Sequence, residues 1–254
     1  DLIITNAKGL TMDAARPRVQ AVAASAGRIV AVGSAAEIAA LAGPDTRVID
    51  AGGRTLLPGF VESHMHLLLG GSEIMQLHIH GLRGIYSLKA AVAGYRAANP
   101  DLPIIMGQGA EWGMLGHDMT RHDLDKVCPD LPLALSSPDH HTVWANTIAL
   151  ERAGILQGGA TDPGHEIVMG PDGLALGQLN EVSAFAPVLD LGGEGRLMQP
   201  LVSGEEPDPA PSPAERAADI AKLRAGLAHC AGHGITSIIN VDGNRYILSL
   251  IDEL

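Results

Sequence analysis

The 254-residue sequence predicts an α/β protein, with a small strand-rich part over residues 1–57 followed by alternating strands and helices over 58–254. Three observations carry this. Before residue 57 short β-prone runs follow one another closely. From Thr55 onward apolar runs alternate with helix-patterned stretches. Throughout, 31 glycines and 16 prolines punctuate the chain as turns. Buried strands alternating with helices imply βα units and a parallel sheet. At 46% hydrophobic the chain can bury a sizeable core, and with two Trp, three Tyr and two Phe that core must be mainly aliphatic.

In the first part, Leu2-Ile3-Ile4-Thr5 opens the series of strands. Ala21–Ala24 and Arg28–Val32 flank Ser25-Ala26-Gly27 as a hairpin, a short helix covers Ala35–Ala42, and Thr46–Asp50 is a further strand before the Ala51-Gly52-Gly53 turn. In the second part, Thr55–Leu57, Pro103–Met106 and Leu131–Leu135 are apolar strands, and Ser87–Ala98 and Asn146–Ala153 are helices. Glu166–Met169, the turn Gly170-Pro171-Asp172-Gly173 and Leu174–Leu176 make an inserted hairpin near 165–178. Residues 191–212, rich in Gly, Pro, Glu and Ser, suggest a flexible loop or lid. Ser212, Pro213 and Glu215 have the spacing of a capping box with proline in the first turn, so a helix runs from there to about Ala231. Ile235–Val241 is another buried strand, and a last helix begins near Arg245.

The formal charge of −12 comes from scattered acidic residues, and no basic stripe offers itself to a phosphate backbone, which excludes nucleic acid as a partner. No apolar stretch is long enough for a membrane span. Cys128 and Cys230 are far apart and outside any CxxC pattern, which suggests reduced core residues and a cytoplasmic setting.

The chemistry concentrates in Leu57-Pro58-Gly59-Phe60-Val61-Glu62-Ser63-His64-Met65-His66. Side chains alternate across a strand, so His64 and His66 share a face. Two imidazoles at the C-terminal end of a strand can grip one metal ion, and barrel enzymes place their sites at that end. His66 is set among Met65 and Leu67-Leu68-Leu69, where an unpaired imidazole is costly. His78-Ile79-His80 has the same spacing without the leading Pro-Gly-Phe, and is read as packed and hydrogen-bonded rather than ligating.

The segment Ala51–His66 closely resembles the start of the barrel in the metal-dependent amidohydrolase superfamily. Gly107-Gln108-Gly109 with Trp112 narrows the likeness to the amidohydrolase-3 branch, which includes N-substituted formamide deformylase-like proteins. Leu124-Asp125 leading through Pro129–Pro132 to His140–Leu150, Gly177–Glu181 and Gly234–Ser237 point the same way. The resemblance implies a TIM-like (β/α)8 barrel beside a small β-sandwich, holding one or two divalent metals, usually zinc. The carboxylated lysine common in the superfamily has no counterpart, because Lys8, Lys89, Lys126 and Lys222 do not end barrel strands. Glu181 is the better anionic ligand beside His64 and His66, against the alternative of a solvated carboxylate at a helix start. His141 falls in the branch's histidine-to-asparagine segment and is assigned to the substrate carbonyl or its oxyanion, with packing against a backbone carbonyl as the alternative. Here the sequence reads Asp139-His140-His141 where the branch more often has glycine before the histidine, so His140 shares the assignment. Trp112 is a candidate pocket wall or core residue.

By count the chain supplies about five or six barrel-type strands, whereas a closed barrel needs eight and about 250 residues of its own. It therefore resembles the N-terminal part of a longer enzyme, with the β-sandwich completed by later strands. The later histidines and the general-base aspartate are expected beyond Leu254. The implied activity is hydrolysis of carbon–nitrogen bonds other than peptide bonds, through a metal-activated water, on a small amide-type substrate. A catalytically silent binding or regulatory protein, or a metal-dependent isomerase or lyase on the same scaffold, are the alternatives. Homo-oligomer formation is left open.

Overall fold

The computed structural model describes residues 1–202 and 204–254, with residues 199–202 described by their backbone alone. The chain divides into two compact units. One comprises Asp1–Val61 with Gly234–Ser237, and the other Glu62–His233 with Ile238–Leu254.

The first unit is built from β1 (Leu2–Thr5), β2 (Lys8–Leu10), β3 (Arg18–Val19), β4 (Ala21–Ser25), β5 (Arg28–Gly33), α1 (Ala35–Ala39), β6 (Arg47–Asp50) and β7 (Thr55–Leu56). Its larger sheet runs β5-β4-β1-β6 and its smaller one β3-β2-β7. The expected hairpin is β4–β5, turned by Ala26 and Gly27 at φ 49° and 72°. Two consecutive positive φ values suit the twist of a tight hairpin. Ile3, Ala21 and Ala23 from the sheet and Ile38 from α1 form the core. Ser34 starts α1 by accepting the Glu37 N–H, while Glu37 accepts the Ser34 N–H in return.

The chain then continues through β8 (Phe60–Met65), α2 (Leu67–Ile74), β9 (Leu77–His78), α3 (Ile85–Ala98), β10 (Ile105–Gln108), α4 (Arg121–Val127), β11 (Leu133–Ser136), β12 (Thr142–Ala145), α5 (Thr147–Arg152), β13 (Glu166–Met169), β14 (Ala175–Asn180) and α6 (Val182–Leu189). A 3₁₀ turn (Asp190–Gly192), α7 (Gly195–Val202), α8 (Pro213–Gly232), β15 (Ile235–Asn240) and α9 (Arg245–Asp252) follow.

Six strands form one sheet in the order β13-β14-β12-β11-β10-β9, and β8 pairs separately with β15. The wholly parallel sheet expected from βα alternation holds only for β9, β10 and β11. From β11 on, neighbours are antiparallel. The reason is chain length. A parallel return needs a crossover of about a dozen residues or more, and α3 and α4 supply it twice. Residues 137–141 between β11 and β12 are too few, so the chain can only turn back. The expected hairpin insertion is β13–β14.

Among the described residues, two apolar clusters stand in this unit. One gathers Val143, Leu179, Phe185 and Val188, and the other Ile105, Leu124, Leu135 and Trp144. The stretch 191–212, expected as a flexible loop, instead carries α7, and Glu194 and Leu197 in it are buried; its Ser203 lies outside the described residues. Helix α8 begins as its sequence predicts, with Ser212 accepting the Glu215 N–H and Pro213 in the first turn. Helices α2 and α8 cross where both are glycine: a β-carbon on Gly71 would stand 2.2 Å from the Lys222 carbonyl oxygen.

Candidate metal centre

The lead-in to β8 explains its glycine. A β-carbon on Gly59 would stand 2.1 Å from the Thr236 hydroxyl, so only glycine fits beneath β15 there. Strand β8 carries His64, and His66 follows its last residue and caps α2, its carbonyl accepting the Gly70 N–H at 2.9 Å. The two imidazoles lie with ring centroids 5.6 Å apart at 86°. The structure thus brings the predicted pair together at the strand's end.

His66 is not left unpaired among its apolar neighbours. Its Nδ1 is 2.9 Å from Oδ2 of Asp242, whose side chain is 4% exposed. An ionised carboxylate only accepts, so Nδ1 carries the proton and Nε2 is left with its lone pair. Asn240, at the end of β15, steadies this arrangement. Its Nδ2 donates to the carbonyl and carboxylate of Asp242, and its Oδ1 accepts the Leu67 N–H at 2.8 Å. The carboxylate–imidazole pair with a free Nε2 is the support that metal-binding histidines usually have, and two imidazoles suit a zinc-type divalent ion. These residues fit a metal.

Glu181 stands immediately after β14 as the residue capping α6, at φ 69° and ψ 163°. This region of backbone space is occupied almost only by glycine and costs about 1–3 kcal/mol for other residues. The Glu181 N–H donates to the His141 carbonyl at 2.9 Å, and its carboxylate oxygens lie 3.1 and 3.2 Å from His141 Nδ1. The hydrogen bond to Glu181, then its charge, raises the His141 pKa above the ordinary histidine value. The neighbouring His140 points elsewhere, its Nδ1 3.2 Å from Glu73 Oε1. Burial raises the Glu73 pKa, partly offset by the His140 charge. His140 and Glu73 line a cavity with Gln76, Gln108 and Ser136. Trp112 is exposed along one side and packs edge-on against buried Trp144, ring centroids 5.0 Å apart.

Among the described residues no group of three His, Cys, Asp or Glu side chains is arranged to hold a metal ion. The structure therefore joins His64 to His66 and His141 to Glu181, but does not gather Glu181 with the first pair. His78 and His80 are separately engaged, His78 Nε2 3.4 Å from the Ile74 carbonyl and His80 Nδ1 3.5 Å from Glu111. The residue that sequence reasoning missed is Asp242. Its signal was present, since Asn240-Val241-Asp242 repeats at the end of β15 the alternate spacing that His64 and His66 show at the end of β8.

A sequence profile of the amidohydrolase family matches residues 47–253, from before the histidine pair to the last helix. The chain belongs to the amidohydrolase family. It is 28% identical to the protein LONG AFTER FAR-RED 3 of Arabidopsis thaliana over 100% of this chain and 40% of that protein. It is 31% identical to the N-substituted formamide deformylase of Arthrobacter pascens over 72% of this chain and 35% of the deformylase. A metal-dependent hydrolase from Pyrococcus horikoshii, of uncharacterised activity, shares the fold with a TM-score of 0.63 at 17% identity, covering 100% of this chain and 45% of its own. The chain thus spans less than half the length of these relatives. Both cysteines of this amidohydrolase-family chain are free and buried, and among the described residues no helix is long and apolar enough to cross a membrane.

Proposed function

We propose that this chain contributes the first metal ligands and part of the substrate pocket of a metal-dependent hydrolase acting on carbon–nitrogen bonds of non-peptide amides. The observation that carries the reading is the His64–His66 pair at the end of β8, with His66 Nδ1 held by Asp242. The deformylase relative supports the amide-type substrate class. In the same reading β8 and β15 are neighbouring strands of a TIM-like barrel completed by chain beyond Leu254, and the protein works in the cytoplasm without nucleic acid or membrane partners.

His64 and His66 would hold the divalent ion, zinc by the chemistry of the donors, with Glu181 as the anionic ligand. When bound, the ion would supply an activated water and polarise the substrate carbonyl. The chain's own groups do the rest. Asp242 keeps the His66 proton on Nδ1. His141 offers an N–H to the substrate carbonyl oxygen; in the metal-free protein Glu181 raises its pKa. His140 and Trp112 border the substrate. The unfavourable backbone of Glu181 supports a functional side chain there, because glycine would serve the turn better.

The test is metal content and hydrolysis in the intact protein, comparing wild type with His64→Ala, His66→Ala and Glu181→Gln on a panel of N-formyl, amide, lactone and carbamate compounds. Either histidine variant should lose bound zinc, and wild type should cleave at least one C–N substrate. Full zinc content in both histidine variants would overturn the metal site. Zinc without turnover across the panel would favour a binding protein.

A further inference from the structure

Asp242 carries more consequence than a surface carboxylate, because nearly all of it is out of water. Its side chain is 4% exposed, and among the described residues its one ion-pair partner is the His66 imidazole. No arginine or lysine nitrogen lies within 4 Å of its carboxylate in that set. A buried carboxylate without a compensating positive charge is costly, and a neutral imidazole compensates only in part. The arrangement becomes favourable when a cation sits on the far nitrogen of the ring, so that carboxylate, imidazole and cation stand in line.

Asn240 extends the argument from charge to geometry. One amide group spans two jobs: Nδ2 donates to the Asp242 carboxylate, and Oδ1 accepts the N–H of Leu67, the residue after His66. The Val241 N–H donates to the Met65 carbonyl at 3.0 Å. The end of β15 is therefore tied to the residues on both sides of His66 while Asp242 holds its ring. Backbone and side chain are fixed from the same three residues.

The structure assigns Asp242 as the positioning residue of the metal centre, setting the His66 tautomer so that Nε2 alone is offered to the ion, with Asn240 holding Asp242 in place. This rests on the reading of His64 and His66 as metal ligands. It goes beyond that reading by giving a role to Asp242 and Asn240, neither of which is a ligand of the ion.

The probe is zinc, titrated into the intact metal-free protein with a competing chelator. Asp242→Asn keeps the shape, removes the charge and adds a donor that can face Nδ1, so both tautomers become accessible. Zinc affinity should fall by about 10–100-fold, the range typical when a histidine's supporting carboxylate is removed, while the far-UV spectrum stays unchanged. Asn240→Ala, which leaves the carboxylate but frees it, should lose less. A reading independent of any variant comes from 15N NMR of the wild-type imidazoles, where metal-free His66 should carry its proton on Nδ1. A His66 found protonated only at Nε2, or an Asp242→Asn protein with wild-type zinc affinity, overturns the positioning role. If His66→Ala then abolishes zinc binding, the metal site stands without it. If His66→Ala and His64→Ala both bind as wild type, the underlying site is wrong instead.

Discussion

Two histidine–carboxylate pairs stand in the same unit of this chain and differ in nearly every physical respect. In His66–Asp242 the carboxylate is buried at 4% exposure and reinforced by Asn240. In His141–Glu181 both side chains are largely open to water, at 66% and 38% exposure, and both carboxylate oxygens reach one nitrogen. Distance alone would rank them equally. Burial makes the first a rigid support, because its carboxylate has no water to turn to, and leaves the second a pair that solvent screens and that can exchange partners. Strain is distributed the other way. Glu181 sits at φ 69°, whereas His66 has an ordinary φ of −107°. The supporting pair is relaxed and fixed; the exposed pair rests on unfavourable backbone.

The rigidity of the first pair also depends on what backs α2. Gly71 and Gly226 let α2 and α8 touch, and the β-carbon of an alanine at 71 would meet backbone at 2.2 Å rather than a side chain that can move. Gly71→Ala must push α2 away from α8, and with it the residue that caps α2, His66. We expect a loss of about 1–3 kcal/mol from overpacking, which for a chain of this size lowers the melting temperature by roughly 2–4 °C per kcal/mol. Zinc affinity should fall with it. Gly70→Ala is the control, since among the described residues no atom beyond its chain neighbours and its own helix backbone lies within 4 Å of the added carbon. It should keep the zinc affinity and raise stability by about 0.5–1 kcal/mol through helix propensity. Thermal melts of both variants decide it, and equal melting temperatures would mean that the two helices do not hold the pair in place.

What the sequence displayed of these two pairs follows from how each is built. His64 and His66 are local: alternate residues at the end of an apolar strand, behind a Pro-Gly-Phe lead-in, place two imidazoles together without help from elsewhere. Helix α8 was equally plain, its boundary written in Ser212, Pro213 and Glu215. Asp242 was harder to see because its partner is 176 residues away, and the alternate spacing of Asn240 and Asp242 does not by itself say which residue they serve. The turn back between β11 and β12 was hidden for a different reason. Buried strands look alike whichever way their neighbours run, and only the few residues between Ser136 and Thr142 exclude a crossover. Helix α7 escaped because Gly, Pro and Ser dominate the stretch around it, although Leu197 and Met198 within it are buried. The conformation of Glu181 could not be seen at all, since nothing in its sequence neighbourhood demands a positive φ of a glutamate.

That conformation gives a smaller effect of opposite sign. Replacing Glu181 by glycine removes backbone strain of about 1–3 kcal/mol while adding roughly 0.4–1 kcal/mol of chain entropy to be lost on folding. The net expectation is a gain of about 1 kcal/mol from Glu181→Gly, alongside lower activity. Glu181→Ala keeps the strain and removes the carboxylate, so it should show the activity loss without the gain. Urea unfolding of the two variants makes the measurement. If glycine stabilises no better than alanine, the positive φ imposes no strain and the argument for a functional side chain loses its backbone support.

The smallest effect is a titration. Glu181 raises the His141 pKa first through its hydrogen bond and then through its charge, with Asp139 adding to the charge effect and a slight loss of hydration opposing both. A histidine raised on folding stabilises the folded state fully below its unfolded value near 6.5 and loses that contribution as pH rises through the raised value. Both partners are exposed, so the effect on stability is slight and NMR is the suitable measure. In the metal-free protein the His141 ring should titrate above 6.5, and in Glu181→Gln its midpoint should move down towards that value. Zinc then separates the two roles proposed for Glu181. If the carboxylate turns to the metal, it leaves His141, and the midpoint of His141 in the wild-type protein should fall on adding zinc to the level seen in Glu181→Gln. A midpoint that zinc does not move would keep Glu181 with His141 and remove it from the ligand set, leaving His64 and His66 as this chain's whole contribution to the metal.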